Sequence, residues 1–483
     1  MVLILVLIPA VIGGVAFLVR NDPLRRAMLV ATAVTHAGLT AACWVHRPAA
    51  TAGGWLVLDA AGLLFLSITS ALFLAAAVYA VAYLRREHDH VTRDAVEGFL
   101  FSNAPEATFT GCLLLFLAAM TLVTLSQHVG LLWVAVEATT LASAPLIYFH
   151  RHHRSLEATW KYLLICSVGI ALALLGNFFL AVAAGSTPLV FGELVARAGQ
   201  LNVPWLKAAF LLVLVGYGTK MGLAPLHTWL PDAHSESPPV ISALLSGALL
   251  NCAFLGIIRM QQVCAAGGLG DFSRTLLVGF GLISMAVSAV FIVGQTDFKR
   301  LLAYSSVEHM GILALGVGLG GAGVFGAMLH AVNHSLTKAM LFLVAGNILG
   351  AYGTKSAADV QGALRVLPVS GVLWVAGLLA ITGSPPFGLF LSEFTILKAA
   401  LDAGRIGVAV TYLALLAVIF VGMATIMLRM AQGVSLRIAP RRESWTAVVP
   451  PAALATVVLV LGIYLPGQLT HLLRETAHLL GDL

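Results

Sequence analysis

Long apolar runs decide what this chain can become. They fall at about 1–19, 27–46, 55–84, 107–126, 128–149, 157–183, 208–226, 236–260, 275–294, 300–320, 322–349, 370–400, 407–430 and 447–470, fourteen in all. A helix rises 1.5 Å per residue and the hydrocarbon core of a bilayer is about 30 Å thick, so roughly 20 apolar residues cross it once. The sequence therefore specifies an all-α polytopic membrane protein of about fourteen transmembrane helices. Charged residues make up 10% of the 483, against about 25% in a soluble domain. The longest polar connections, about 85–106, 184–207 and 431–446, are too short to fold as catalytic domains. Function must then sit inside the membrane.

Basic residues test the count and set the orientation. Seventeen Lys and Arg fall on one face, among them Arg20, Arg85, Arg93, Arg151, Lys299, Lys355 and Arg437, and seven on the other. Cytoplasmic loops carry the excess of positive charge, so both termini are expected outside. The first run, "MVLILVLIPAVIGGVAFLVR", has its arginines after the apolar stretch, and reads as a transmembrane helix and not as a cleaved signal. The net charge of +6 reflects basic loops and gives no reason to expect nucleic acid. Five scattered cysteines without a C-x-x-C pair speak against a disulfide framework and against haem, zinc or iron–sulfur ligation. No Walker A loop or dinucleotide fingerprint is present, so no cofactor is expected in this chain.

Several ionisable residues nevertheless lie inside the apolar runs. Each costs about 2.5–3.5 kcal/mol or more at the bilayer centre and needs a partner or a hydrated cavity. Glu137 stands in the middle of "LLWVAVEATTLASAPL", Lys220 deep in its run, and Glu308 with His309 well below the surface marked by Lys299. "HAVNHSLTKAM" places His330, His334 and Lys338 at i, i+4 and i+8 on one helix face, a spacing that suits a proton relay through intervening water. The lone His36, His46 and His478 read as interfacial, Asp59 as a helix-end anchor, and Lys398 as equally suited to snorkelling or to the relay. The tract His150, Arg151, His152, His153, Arg154 reads as a solvated topological anchor, because interleaved arginines disfavour a cation site.

Two breaks interrupt the runs. "GYGTKMGLAPLHTWLPDAHSESPP" carries Pro225 and Pro231 with His227, Asp232 and His234 crowded around them, and "GSPPFG" at 383–388 precedes Glu393. Discontinuous spans are tolerated where they line buried or hydrated cavities. Five spans separate the breaks, and an odd number reverses direction. The pattern points to two inverted five-helix repeats, residues 107–260 and 261–430, between an N-terminal segment 1–106 and a C-terminal segment 431–483.

"GTKMGLAPLHTWLPDAHSESPPVISALLSG", "DFKRLLAYSSVEHMGI", "HAVNHSLTKAMLFLVAG" and "GSPPFGLFLSEF" resemble the antiporter-like proton-pumping subunits shared by respiratory complex I, membrane-bound hydrogenases and multisubunit cation/proton antiporters. The resemblance covers about residues 55–430, and "AYSSVEHMG" with "ISALLSGALLN" is most similar to the hydrogenase-4 component F branch. It implies that each five-helix bundle forms half of a proton path. Glu137 and Lys220 match the family's Glu–Lys couple, His330, His334 and Lys338 its central relay, and Glu393 its exit-side carboxylate. Asn251 stands where complex I pumping subunits often carry a central Lys. Asn does not titrate, so passage there needs water, His227 or His234, or another route. The long lateral helix of the largest complex I pumping subunit is not expected here.

The reading is a proton-translocating membrane subunit of a redox-driven complex, of the hydrogenase-4, formate hydrogenlyase or NADH-quinone oxidoreductase type. Its setting is a bacterial or archaeal cytoplasmic (inner) membrane. Nickel–iron (NiFe) and iron–sulfur centres or flavin belong on partner subunits, and the expected partners are other membrane subunits and a peripheral redox arm. In this mechanism Glu137 holds Lys220 protonated; separating them drives the proton toward the His330–His334–Lys338 file, to leave by Glu393. The alternatives are a cation/proton antiporter subunit and a bicarbonate-coupled membrane complex.

Overall fold

The structure, a computed structural model, describes residues 1–87, 92–93, 100–435 and 438–480. Arg437 and the side chain of Arg93, both counted in the charge asymmetry, lie outside the described residues. Three helices open the chain: α1 (Val2–Ala16), α2 (Asp22–Val45) and α3 (Ala60–Glu87). The next group comprises α4 (Glu106–Leu125), α5 (Val129–Ile147), α6 (His153–Ala184), the short α7 (Phe191–Ala196), α8 (Val203–Met221) and α9 (Trp229–Glu236). It ends in α10 (Pro239–Leu244), which runs through a π turn at Leu245–Leu249 into α11 (Leu250–Ala266). Then come α12 (Gly270–Ile292), α13 (Phe298–Leu319), α14 (Ala322–Tyr352), the short α15 (Ala363–Val366), α16 (Pro368–Ile381), α17 (Gly388–Asp402) and α18 (Ile406–Ala431). The chain closes with α19 (Trp445–Ile463) and α20 (Gly467–His478).

Eleven spans are long and apolar enough to cross a membrane by length and composition, with α10–α11 taken as one. Adding α1 and the two broken spans, α8–α9 and α16–α17, gives fourteen crossings among the described residues. The fold is thus an all-α polytopic membrane protein with two broken spans. Proline removes a backbone donor and clashes with the preceding turn, which is why the two spans break where they do. α8 stops at Gly222, a left-handed cap with φ +86°, a conformation that glycine adopts without penalty. α16 ends ahead of Gly383, φ +63°, and Pro385-Pro386.

Packing follows membrane rules, in which small residues let helices approach closely. A Cβ on Gly216 of α8 would lie 2.6 Å from the Gly169 carbonyl oxygen of α6. That contact brings Tyr162 of α6 beside Lys220 of α8. The α10–α11 span is wholly buried and α13 nearly so, whereas α2, α18 and α19 expose most of their surface. At one end of the bundle Arg26 grips Glu106 through bonds of 2.8 and 2.6 Å; at the other Arg47 binds Glu475 of α20 through two of 2.6 Å.

His36 departs from expectation. It is 2% exposed, and its two ring nitrogens lie 3.0 Å from Ser70 Oγ and 3.0 Å from Thr121 Oγ1. Helix α2 packs against α3 and α4 at mid-length, and the two hydroxyls satisfy an imidazole far from the interface. His46 and His478 are exposed. Asp59 is an anchor, capping the start of α3 at Gly62 N (2.9 Å) and pairing with buried Arg259 of α11.

Candidate functional site

Lys220 is fully buried at the last turn of α8 and does not touch Glu137 directly. Its ammonium donates to Thr140 Oγ1 at 2.7 Å and to Tyr162 Oη at 2.8 Å, and lies 4.6 Å from the centre of the Tyr162 ring. Thr140 donates in turn to Glu137 Oε2 at 3.0 Å, and Ser167 to Glu137 Oε1 at 3.2 Å. Glu137 and Thr140 are one turn apart on α5, so the same helix face presents carboxylate and hydroxyl. The Glu–Lys couple is therefore bridged by a hydroxyl that accepts from the ammonium while donating to the carboxylate. Sequence pattern singled out the two charges and passed over Thr140, Tyr162 and Ser167, whose residue types are common in membrane helices.

The second cluster joins α13, α14 and α17. His309 Nδ1 lies 3.0 Å from His330 Nε2, and His330 Nδ1 lies 2.9 Å from Ser392 Oγ. His309 Nε2 faces Glu308 Oε2 at 3.9 Å, and Ser305 donates to that same oxygen at 3.3 Å. All three histidines are fully buried. The row on α14 is not a direct chain: the His330 and His334 rings stand 6.3 Å apart, and His309 sits 5.1 Å from one and 4.8 Å from the other. Histidines four residues apart on a helix share a face but leave a gap between rings, and here the neighbouring helix fills it. Lys338 caps the Leu302 carbonyl at 2.7 Å. Glu393 packs behind Gly383, where a Cβ would fall 1.9 Å from Glu393 Oε2, so the break gives this carboxylate its place. Glu393 Oε1, His309 Nε2 and both nitrogens of His334 have no hydrogen-bond partner among the described residues.

Asn251 connects the halves. Its amide donates to Gly247 O and to Ser335 Oγ, both at 2.8 Å, which places it against α14 between His334 and Lys338 in sequence. The π turn just before it leaves an irregular stretch of backbone, and Ser246 within that turn meets Ser306 of α13 at 2.8 Å; such turns recur at functional sites. His234 reaches the same region, stacked on Phe342 of α14 with ring centres 4.7 Å apart. His227 does not: it sits edge-on to Tyr304 at 6.2 Å, beside the loop of the break. Of the two histidines proposed to relieve Asn251, His234 packs against α14, the helix that Asn251 bonds, and His227 packs against Tyr304 of α13.

The basic face is more built than the sequence suggests. His150 bonds Tyr83 Oη at 2.9 Å and Asn103 Oδ1 at 2.7 Å, and His152 caps α6 and faces Glu236 Oε2 at 3.6 Å. Burial first, and then the positive charges of Lys299 and His152, push His150 down to about 3. These two histidines are structural members of a cleft of about 450 Å³ lined also by Arg86, Asp297 and Lys355, not a solvated anchor. Lys398 is exposed and pairs with Asp402, apart from both clusters.

Fold and site together define a helical membrane protein with an ionisable interior threaded through two broken spans. The chain belongs to the NADH:quinone oxidoreductase/Mrp antiporter transmembrane family, whose model matches residues 126–423. It is 37% identical over 357 residues to a hydrogenase-4 component F homolog of Methylacidiphilum infernorum, covering 72% of this chain and 73% of that one. To hydrogenase-4 component B of Escherichia coli it is 28% identical, over 77% of this chain and 54% of the relative; the chain spans about half the length of several such relatives. An archaeal membrane-bound sulfane sulfur reductase structure shares the fold at a TM-score of 0.88 and 21% identity, covering 100% and 98% of the two chains. The Mrp complex of Dietzia sp. does so at 0.86 and 23%, covering 99% and 96%.

Proposed function

We propose that this chain translocates protons across a bacterial or archaeal cytoplasmic membrane as one membrane subunit of a redox-driven complex. Hydrogenase-4 and formate hydrogenlyase assemblies are favoured over quinone reductases, on the strength of the 37% relative. The redox centres, nickel–iron with iron–sulfur or flavin, reside on a peripheral arm of partner subunits. Both termini face outward, away from the basic loops. The observation that carries the reading is the buried run His309–His330–Ser392 with hydrogen-bond distances of 3.0 and 2.9 Å, flanked by Glu308, Lys338 and Glu393. Such groups are costly in a membrane and mark ion pathways.

The first half of the path is the switch. With Thr140 bridging, Lys220 holds a proton whose charge Glu137 balances through one hydroxyl. A shift that opens the Thr140 bridge leaves the ammonium desolvated and drives its proton onward. The second half receives it through the Asn251–Ser335 region and His234, and passes it along His309 and His330 to Glu393. Lys220→Met should abolish redox-linked acidification by reconstituted complex while leaving assembly intact; undiminished proton flux would overturn the role.

A sodium/proton antiporter is the second reading, favoured by a relative from Staphylococcus haemolyticus, Na(+)/H(+) antiporter subunit A1, 30% identical over 79% of this chain and 50% of its own length. Sodium-dependent flux in vesicles without redox turnover would select it.

A further inference from the structure

We propose that His309, His330 and Glu393 form a binding site for a divalent transition-metal ion of the zinc type, and that the bound ion closes the second half of the proton path. One ligand atom from each of the three lies within 4.8 Å of the others, and all three side chains are buried. Zinc bonds nitrogen and oxygen at about 2.0–2.1 Å in tetrahedral geometry, which separates two ligand atoms by about 3.3 Å. His309 Nδ1 and His330 Nε2 already stand 3.0 Å apart. A small movement of Glu393, whose Oε1 is without a partner, completes three protein ligands.

The surroundings support metal ligation more than the three ligands alone would. A metal-binding imidazole usually turns its other nitrogen toward a carboxylate or another oxygen, which fixes its orientation and raises its basicity. His330 does so, its Nδ1 lying 2.9 Å from Ser392 Oγ, and His309 Nε2, which makes no hydrogen bond among the described residues, has the Glu308 carboxylate 3.9 Å away. Glu393 lies directly behind Gly383, beside the exposed Pro385 and Pro386 of the break.

Closure follows from the chemistry. A bound ion takes the lone pairs of His309 Nδ1 and His330 Nε2, the two atoms through which a proton passes between the rings, and neutralises Glu393. The direct route from His309 through His330 to Glu393 is then blocked. The binding claim stands on geometry alone, whereas the closure claim rests on the proton reading above.

The test uses the purified complex in proteoliposomes, with zinc bound measured by equilibrium dialysis and proton flux by an internal pH dye. Wild type should bind one more zinc per chain than His309→Asn or Glu393→Gln, and zinc should stop its flux. Ser392→Ala keeps the ligands and loses their support, so it should bind about 10- to 100-fold more weakly. Substituting the exposed His471 by Ala serves as the surface control and should change nothing. Equal zinc stoichiometry in wild type and both ligand variants overturns the site, even if those variants lose flux and so uphold the relay. A lost zinc equivalent with wild-type flux insensitive to zinc overturns closure and, with it, the placing of the proton path through these atoms.

Discussion

Replacing Thr140 by Val tests the feature on which the Lys220 switch depends. The side chain is buried, and valine matches its shape while removing the hydroxyl. The ammonium then loses its 2.7 Å bond and keeps only Tyr162 at 2.8 Å, and Glu137 loses the donor at 3.0 Å. A hydrogen bond to a charged group contributes about 1.5–3 kcal/mol. Placed on the barrier to loading Lys220 with its proton in the closed, Thr140-bridged state, that energy slows loading by about 10- to 150-fold, since about 1.4 kcal/mol is a factor of ten. Thr140→Ser restores the hydroxyl and should restore the rate. The assay is proton uptake per redox turnover in proteoliposomes, with assembly checked on native gels. If Thr140→Val assembles and pumps at the wild-type ratio, the hydroxyl bridge is not part of the switch and the proton reaches Lys220 another way.

Two further outcomes follow from the local geometry. Gly383→Ala should fold with a loss of about 1–2 kcal/mol for a left-handed non-glycine residue. Its Cβ must also push Glu393 from a contact of 1.9 Å, so flux should fall together with a measurable drop in thermal stability. The His150 contact should be pH-dependent with a defined sign. Its imidazole titrates near 6.5 when unfolded but is pushed down to about 3 by burial and nearby positive charge. The stabilisation is therefore complete above about pH 6.5 and is lost as pH falls from there. Hydrogen exchange of the 148–152 loop should accelerate on acidification, and His150→Asn should flatten the profile; acceleration on raising the pH beyond the intrinsic rate increase would contradict the assignment.

The spans, their number and the two breaks are legible in the sequence because the bilayer enforces one rule on every crossing and proline and glycine mark each failure to obey it. Buried charges are legible for the same reason: nothing apolar explains Lys220 or Glu393. The connections between them are not. Thr140, Ser392 and Ser335 are residues that any membrane helix uses to bond its own backbone, and only packing shows which hydroxyls turn toward a charge. The His330–His334–Lys338 row illustrates the limit of periodicity. Three residues share a face, yet the partner that links two of them, His309, comes from another helix. His36 misled for a related reason, since its hydroxyl partners lie 34 and 85 residues away.

How the two halves act together is written in α9. A helix of eight residues is far below the roughly 12–15 needed for stability on its own, so its neighbours hold it, α6 from the first half and α13 from the second. Asp232 is gripped by Arg300 at 2.5 Å and by Lys161 at 3.0 Å, Glu236 by Lys355 at 2.8 Å, and Ser235 donates to Asp297 at 2.6 Å. Lys299 is 1% exposed and donates to the carbonyls of Ser235 and Ser237 at 3.2 and 2.6 Å, satisfying orphan acceptors where the helix dipole is negative. These contacts tie α13 to α9, which carries His234 and shares its break with Lys220, so a movement of α13 would displace α9. The contacts differ in weight. Arg300 is 42% exposed, and such a surface pair contributes about 0–1 kcal/mol. Removing Lys299 leaves the Ser237 carbonyl without its donor, at about 1–3 kcal/mol, while the Ser235 carbonyl keeps Lys355 at 3.1 Å. Lys299→Met should therefore raise hydrogen exchange across 229–236 and uncouple proton flux from turnover, with Arg300→Ala well behind on both measures. If Arg300→Ala loosens α9 as much as Lys299→Met does, the surface pairs and not the buried ammonium hold the halves together.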